Sequence, residues 1–83
     1  MYELRIYKHA SREIKKIPRR YQNALLDGLN EIRENPFSGK PLVRELAGKY
    51  SYKISAYRII YKVNKNDKII SVLTAGHRSG VYK

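Results

Sequence analysis

Two neighbouring segments carry the side chains best suited to chemistry. In Lys49–Ser55, Tyr50, Tyr52 and Ile54 alternate with Lys49, Ser51, Lys53 and Ser55. In Tyr57–Asn64, Tyr57, Ile59, Tyr61 and Val63 alternate with Arg58, Ile60 and Lys62. Period-two alternation sends these sets to opposite faces of a sheet. If helices cover the Ile59/Val63 face, the other face presents Arg58, Ile60 and Lys62, and a hairpin adds Lys53. Cations held on rigid strands suit phosphate chemistry, which depends on positioning and on stabilising developing charge. The planar fork of Arg58 matches phosphate oxygens, whereas lysines on a strand are equally ordinary as solvated charges. Arg78 and Tyr82, in the tail after the last strand, are within reach of the same face.

His77 is a candidate for proton transfer, for which the reference pKa of free histidine, about 6.5, is suited, although an exposed turn histidine is just as common. Among eight tyrosines, Tyr52, Tyr57 and Tyr61 fall on the core side. Tyr7, Tyr50 and Tyr82 are the candidates for stacking on a base. Neither His9 nor His77 has a second ligand at metal-binding spacing, cysteine is absent, and no glycine-rich phosphate loop occurs. The expectation is therefore no metal and no cofactor.

Charge supports a polyanionic partner. Eighteen Lys and Arg against seven Asp and Glu give +11 over 83 residues, with a pI near 10.1. The excess is +4 in residues 1–41 and +7 in residues 42–83. No acidic side chain falls between Leu46 and Asn66, while Lys49, Lys53, Arg58, Lys62 and Lys65 do. Nucleic acid is the commonest partner of such a stretch; an acidic protein or a simply solvated surface is the alternative. Apolar runs of two or three residues are far short of the roughly 20 that a membrane span needs. A cytoplasmic, membrane-free protein is expected.

The elements that must position these groups follow from periodicity. Tyr2, Leu4 and Ile6 mark a strand over Tyr2–Lys8. Ala10, Ile14 and Ile17 give a short helix that Pro18 interrupts. A second helix, Arg19–Glu34, carries Tyr21, Ala24, Leu25, Gly28, Leu29 and Ile32 as its apolar stripe and stops at Asn35-Pro36. Gly28 on that stripe predicts a close approach to a neighbour. Residues 36–48 read as a loop pinned by Phe37, Leu42 and Leu46. Two strands follow, joined at Ser55-Ala56, then a turn at Asn64–Asp67. The nearly continuous apolar run Lys68–Ala75 predicts a central strand, with Gly76 ending it and a polar tail, His77–Lys83, beyond. The expected fold is a single α+β domain over residues 1–83, β-α-α-β-β-β, with an antiparallel sheet packed on a helix pair.

The segments AYRIIYKV (Ala56–Val63) and TAGHRSGVYK (Thr74–Lys83), with REIKKIP (Arg12–Pro18) and NPFSGKPLVREL (Asn35–Leu46), resemble the RelE/ParE superfamily of bacterial and archaeal toxins. The resemblance spans nearly the whole chain and implies the same order of elements. RelE-like members cleave mRNA in the ribosomal A site without a metal, and each is held inactive by a cognate antitoxin. The resemblance thus implies a RelB-like, acidic antitoxin, mRNA and the ribosome as partners. It implies that Arg58 and Arg78 hold the scissile phosphate, that Lys53 activates the nucleophile or stabilises charge, and that Tyr82 stacks on or orients the nucleotide. Lys49, Lys62 and Tyr50 would bind RNA around that centre. Ser55 stands where some relatives have a second lysine, and the glutamate base of others has no counterpart in this region, which leaves His77 as the candidate general acid or base. The ParE branch uses the same scaffold to inhibit DNA gyrase. A catalytically weak, antitoxin-binding relative is a further alternative.

Overall fold

The computed structural model describes residues 2–77. The N-terminal alternation forms β1 (Glu3–Ile6), followed by α1 (Lys8–Lys16). Pro18 separates this helix from a single 3-10 turn at Arg19–Tyr21, which leads into α2 (Gln22–Glu34). Gln22 fastens the junction: its Nε2 donates to the carbonyls of Ile14 and Ile17, each at 2.9 Å. Within the expected loop, β2 (Lys40–Pro41) and a 3-10 turn at Arg44–Leu46 appear. Then come β3 (Lys49–Ile54), β4 (Tyr57–Asn64) and β5 (Ile69–His77).

The five strands lie in the order β1-β5-β4-β3-β2. β3, β4 and β5 are antiparallel neighbours as the two short turns require, but β1 runs parallel to β5, with Leu4 opposite Ile70 and Ile6 opposite Val72. The sheet is therefore mixed, not antiparallel. Alternation marks which side of a strand is buried and says nothing of its direction. The long crossover through both helices is what permits a parallel return. β2 is an added edge, Lys40 opposite Ser51 and Pro41 opposite Tyr50. A proline is tolerated there because an edge strand has a side with no ladder bond to make.

Both helices cover one face. Ala10, Ile17, Leu25, Leu29 and Ile32 bury against Ile54, Ile59, Tyr61, Ile70, Val72 and Ala75. The close approach expected at Gly28 is present, since a Cβ there would lie 2.9 Å from Ile54 Cδ1 and 3.0 Å from Tyr52 Cε1. Two expected core positions differ. Ala24 points outward and Phe37 is 44% exposed, while Leu42 and Leu46 are half-buried. Tyr61, wholly buried, pins the loop instead. Its hydroxyl donates to the Pro36 carbonyl at 2.8 Å and accepts the Gly39 N–H at 3.0 Å. Burial, the main influence, pushes the Tyr61 pKa up.

One side of β5 loses its neighbour when β1 ends opposite Val72, yet β5 continues to His77. Glu13 of α1 closes this gap. Its Oε1 accepts the Ala75 N–H at 3.1 Å and the Thr74 hydroxyl, and it lies 3.2 Å from His9 Nε2 one turn earlier. Among the described residues, no helix is long and apolar enough to cross a membrane.

Candidate functional site

The β3–β4 hairpin turns through Ser55-Ala56 with Ser55 in the left-handed region at φ 54°. So tight a turn fixes the register, and it sets Lys53 directly opposite Arg58. Both belong to the face turned away from the helices. Lys53 is exposed; Arg58 is half-buried, with its Nε enclosed. Gly76 stands opposite Arg58 on β5, so the residue paired with it there adds no side chain beside the guanidinium. Lys40 and Ser51 join Lys53 and Arg58 in a groove of about 570 Å³ that passes over the β3 edge where β2 has ended.

Glu31 and Tyr52 line the far wall of that groove. The Tyr52 hydroxyl donates to Glu31 Oε2 at 3.0 Å. Partial burial, reinforced by the Glu31 carboxylate, raises the Tyr52 pKa and keeps the phenol protonated at neutral pH. Sequence reasoning missed Glu31 because it looked for a carboxylate near the hairpin, and this one arrives from α2. The close approach of α2 to β3 at Gly28, one helical turn earlier, is the signal that would have found it.

A second row of cations crosses the same face. The registers place Lys49 opposite Lys62, Lys62 opposite Ser71, and Ser71 opposite Arg5. This row lies four residues along the strands from Lys53 and Arg58, about 13 Å at strand rise. Arg5 was absent from the sequence-derived site, because only the parallel pairing of β1 with β5 brings it there. Its Nε holds Glu3 Oε2 at 2.6 Å, and this bond is the main reason its pKa is raised.

Other expected site residues lie elsewhere. The strand continues through His77, so alternation carries the imidazole to the helix side, edge-on to Tyr57 with ring centroids 5.7 Å apart. His77 therefore stands across the sheet from Lys53 and Arg58. Tyr50 belongs to an aromatic group on the helix side: it stacks on Tyr61 at 5.5 Å and meets Phe37 edge-on at 5.7 Å. It is on the opposite face from Lys49 and Lys62. Arg78 and Tyr82 lie outside the described residues. Among the described residues, no three His, Asp or Glu side chains gather as metal ligands.

With a helix-backed sheet and a cationic open face established, the comparisons with known proteins are specific. The family model described as the ParE toxin of type II toxin-antitoxin system, parDE, matches residues 4–82. Toxin RelG of Mycobacterium tuberculosis is 31% identical over 84 residues, which cover 99% of this chain and 97% of RelG. The crystal structure of the RelBE2 toxin-antitoxin complex from M. tuberculosis superposes with a TM-score of 0.84 at 32% identity, covering 93% of this chain and 98% of that one. The isolated E. coli RelE toxin gives a TM-score of 0.80 at 28% identity, covering 99% and 92%.

Proposed function

This chain belongs to the ParE toxin family of type II toxin-antitoxin systems, within the RelE/ParE superfamily, and from that premise we propose that it is a ribosome-dependent mRNA endoribonuclease. The observation that carries the reading is the Lys53–Arg58 pair, two cations set opposite each other on rigid strands at the open face. In the proposed reaction the substrate's own 2′-oxygen attacks the adjacent phosphorus. The bond to the 5′-oxygen breaks, leaving a 2′,3′-cyclic phosphate and a 5′-hydroxyl. One proton leaves the 2′-hydroxyl and one reaches the departing 5′-oxygen, so the step balances without water.

Arg58 would hold the nonbridging oxygens, and Lys53 would stabilise the charge that builds on the phosphorane-like transition state. Arg78 would add a second guanidinium and Tyr82 would orient the nucleotide by stacking. Lys49 and Lys62 would bind flanking phosphates. His77 and Tyr50, on the helix side of the sheet, have no part in this reading. Restraint would come from an acidic, RelB-like antitoxin, in keeping with the RelBE2 complex and with the charge of +11. Such a protein would act in the cytoplasm, where ribosomes are.

Primer extension on mRNA in programmed ribosomes tests the reading. Wild-type protein should cut at the A-site codon, Arg58→Ala should cut about a hundred-fold or more slower, and a 2′-deoxy nucleotide at the scissile position should block the cut. The matched family is described as a ParE toxin, and the resemblance to the ParE branch supplies a second reading, inhibition of DNA gyrase. Growth arrest without A-site cuts, accompanied by loss of supercoiling activity, would transfer the assignment to gyrase.

A further inference from the structure

A second groove, of about 670 Å³, opens on the same sheet face across β1, β5 and β4. Its floor is small: Ser71 is buried beneath two long basic side chains, Arg5 on one neighbouring strand and Lys62 on the other. Lys65 and Asn64 close the end beside the β4–β5 turn, where the Asn64 side chain accepts the Asp67 N–H at 3.0 Å. Among the described residues no carboxylate lines the groove, although Asp67, whose Oδ2 accepts from Asn64 Nδ2 at 3.2 Å, stands at that end and adds to the negative field at Arg5. Glu3 lies beside it but occupies only Arg5 Nε, leaving the two terminal nitrogens for another acceptor. The Arg5–Glu3 pair is more than half exposed on both sides, and exposed pairs yield readily to a competing anion.

We propose that this groove is an anion subsite for the phosphodiester backbone of the RNA strand being cleaved, a few nucleotides from the scissile phosphate. The inference rests on the nuclease reading above and extends its footprint. Three observations select the occupant. The walls are cationic and the floor offers a hydroxyl, which suits phosphate oxygens. The groove shares one sheet face with the Lys53–Arg58 pair, with only the buried Ile60–Ser51 row of β4 and β3 between them. The separation along the strands, about 13 Å, is one that a short stretch of the same strand spans. The β5 floor positions both walls, so the subsite exists only because β1 pairs with β5.

Fluorescence anisotropy with the full chain tests it, using labelled, uncleavable 2′-O-methyl RNA of three and of ten nucleotides. The wild type should bind the ten-mer about ten-fold or more tighter than the three-mer. The double variant Arg5→Gln/Lys62→Gln should lose most of that advantage, read as the ratio of the two affinities. Its log Kd should depend on log salt with a slope smaller by about 1.4, for two single-strand phosphate contacts released. A Lys15→Gln/Lys16→Gln variant removes equal charge from α1 and should keep the advantage.

Equal losses in the two double variants would overturn the proposal in favour of bulk charge. A labelled oligoglutamate that binds as tightly as the ten-mer, and loses as much in Arg5→Gln/Lys62→Gln, would overturn it in favour of an acidic protein site. Length-dependent binding in a protein that makes no A-site cut would leave the groove standing and sink the nuclease reading. Cutting without length dependence would do the reverse.

Discussion

Arg58 owes its importance to placement. In the proposed reaction, a half-buried guanidinium on a central strand, paired with a glycine, would lose little freedom when substrate binds. Arg58→Ala should lower A-site cleavage by about 10²–10³-fold, the usual loss when one charge-stabilising donor is removed. Arg58→Lys should recover only part, because the point charge returns without the fork; single-turnover cleavage with a thermal melt beside it separates chemistry from folding. Tyr61 is the residue-scale counterpart for stability. Tyr61→Phe strips the partner from the Gly39 N–H and the donor from the Pro36 carbonyl, at a cost of about 1–3 kcal/mol. Burial raises the folded-state pKa of Tyr61, so its stabilisation is complete below pH of about 10 and is lost as pH climbs through the raised value. Denaturant melts between pH 8 and 12 should show a shallower alkaline decline in Tyr61→Phe, with Tyr52 supplying what remains.

At the scale of elements, the loop before β2 and the open stretch of β5 are two places where regular pairing fails and a side chain substitutes. Gly39 has no room for a Cβ, which would lie 2.6 Å from Tyr61 Oη and 3.0 Å from the Ser51 carbonyl oxygen. Gly39→Ala should therefore cost about 1–3 kcal/mol. That cost should shrink in a Tyr61→Phe background, because the nearest obstructing atom has gone; a double-mutant cycle by chemical denaturation measures the coupling. Glu13 performs the strand-like role beside β5. Glu13→Ala should destabilise by about 1–3 kcal/mol through an orphaned N–H, whereas Glu13→Gln keeps an acceptor and should cost less. Hydrogen exchange at the Ala75 amide is the direct readout, and unchanged protection in Glu13→Ala would dismiss the edge-closing role.

For the whole molecule, one face carries the core and the other carries the cations. The helices and the aromatic group of Tyr50, Tyr61 and Phe37 occupy the first. Arg5, Lys40, Lys49, Lys53, Arg58 and Lys62 share the second by register. A charge of +11 on a chain of 83 residues should steer association with an acidic antitoxin, so the association rate should fall at least about ten-fold between 50 and 500 mM salt while dissociation changes little. Stopped-flow measurements across that range check it, and a flat rate would mean that apolar burial governs the encounter.

The sequence by itself determined much of this arrangement. Alternation in β3 and β4 set Lys53 and Arg58 on one face and the core on the other, because a strand's side chains can point only two ways. The proline and asparagine punctuation placed the turns, and the motifs around Ala56–Val63 and Thr74–Lys83 pointed to the right superfamily. Tertiary structure alone decided the rest. Strand direction is not written in alternation, so the parallel pairing that brings Arg5 beside Ser71 and Lys62 was invisible. The reach of Glu31 depends on how closely α2 lies over β3. His77 crossed to the helix side because β5 ran past Gly76, and a strand's end is set by its neighbours' hydrogen bonds more than by its own residues.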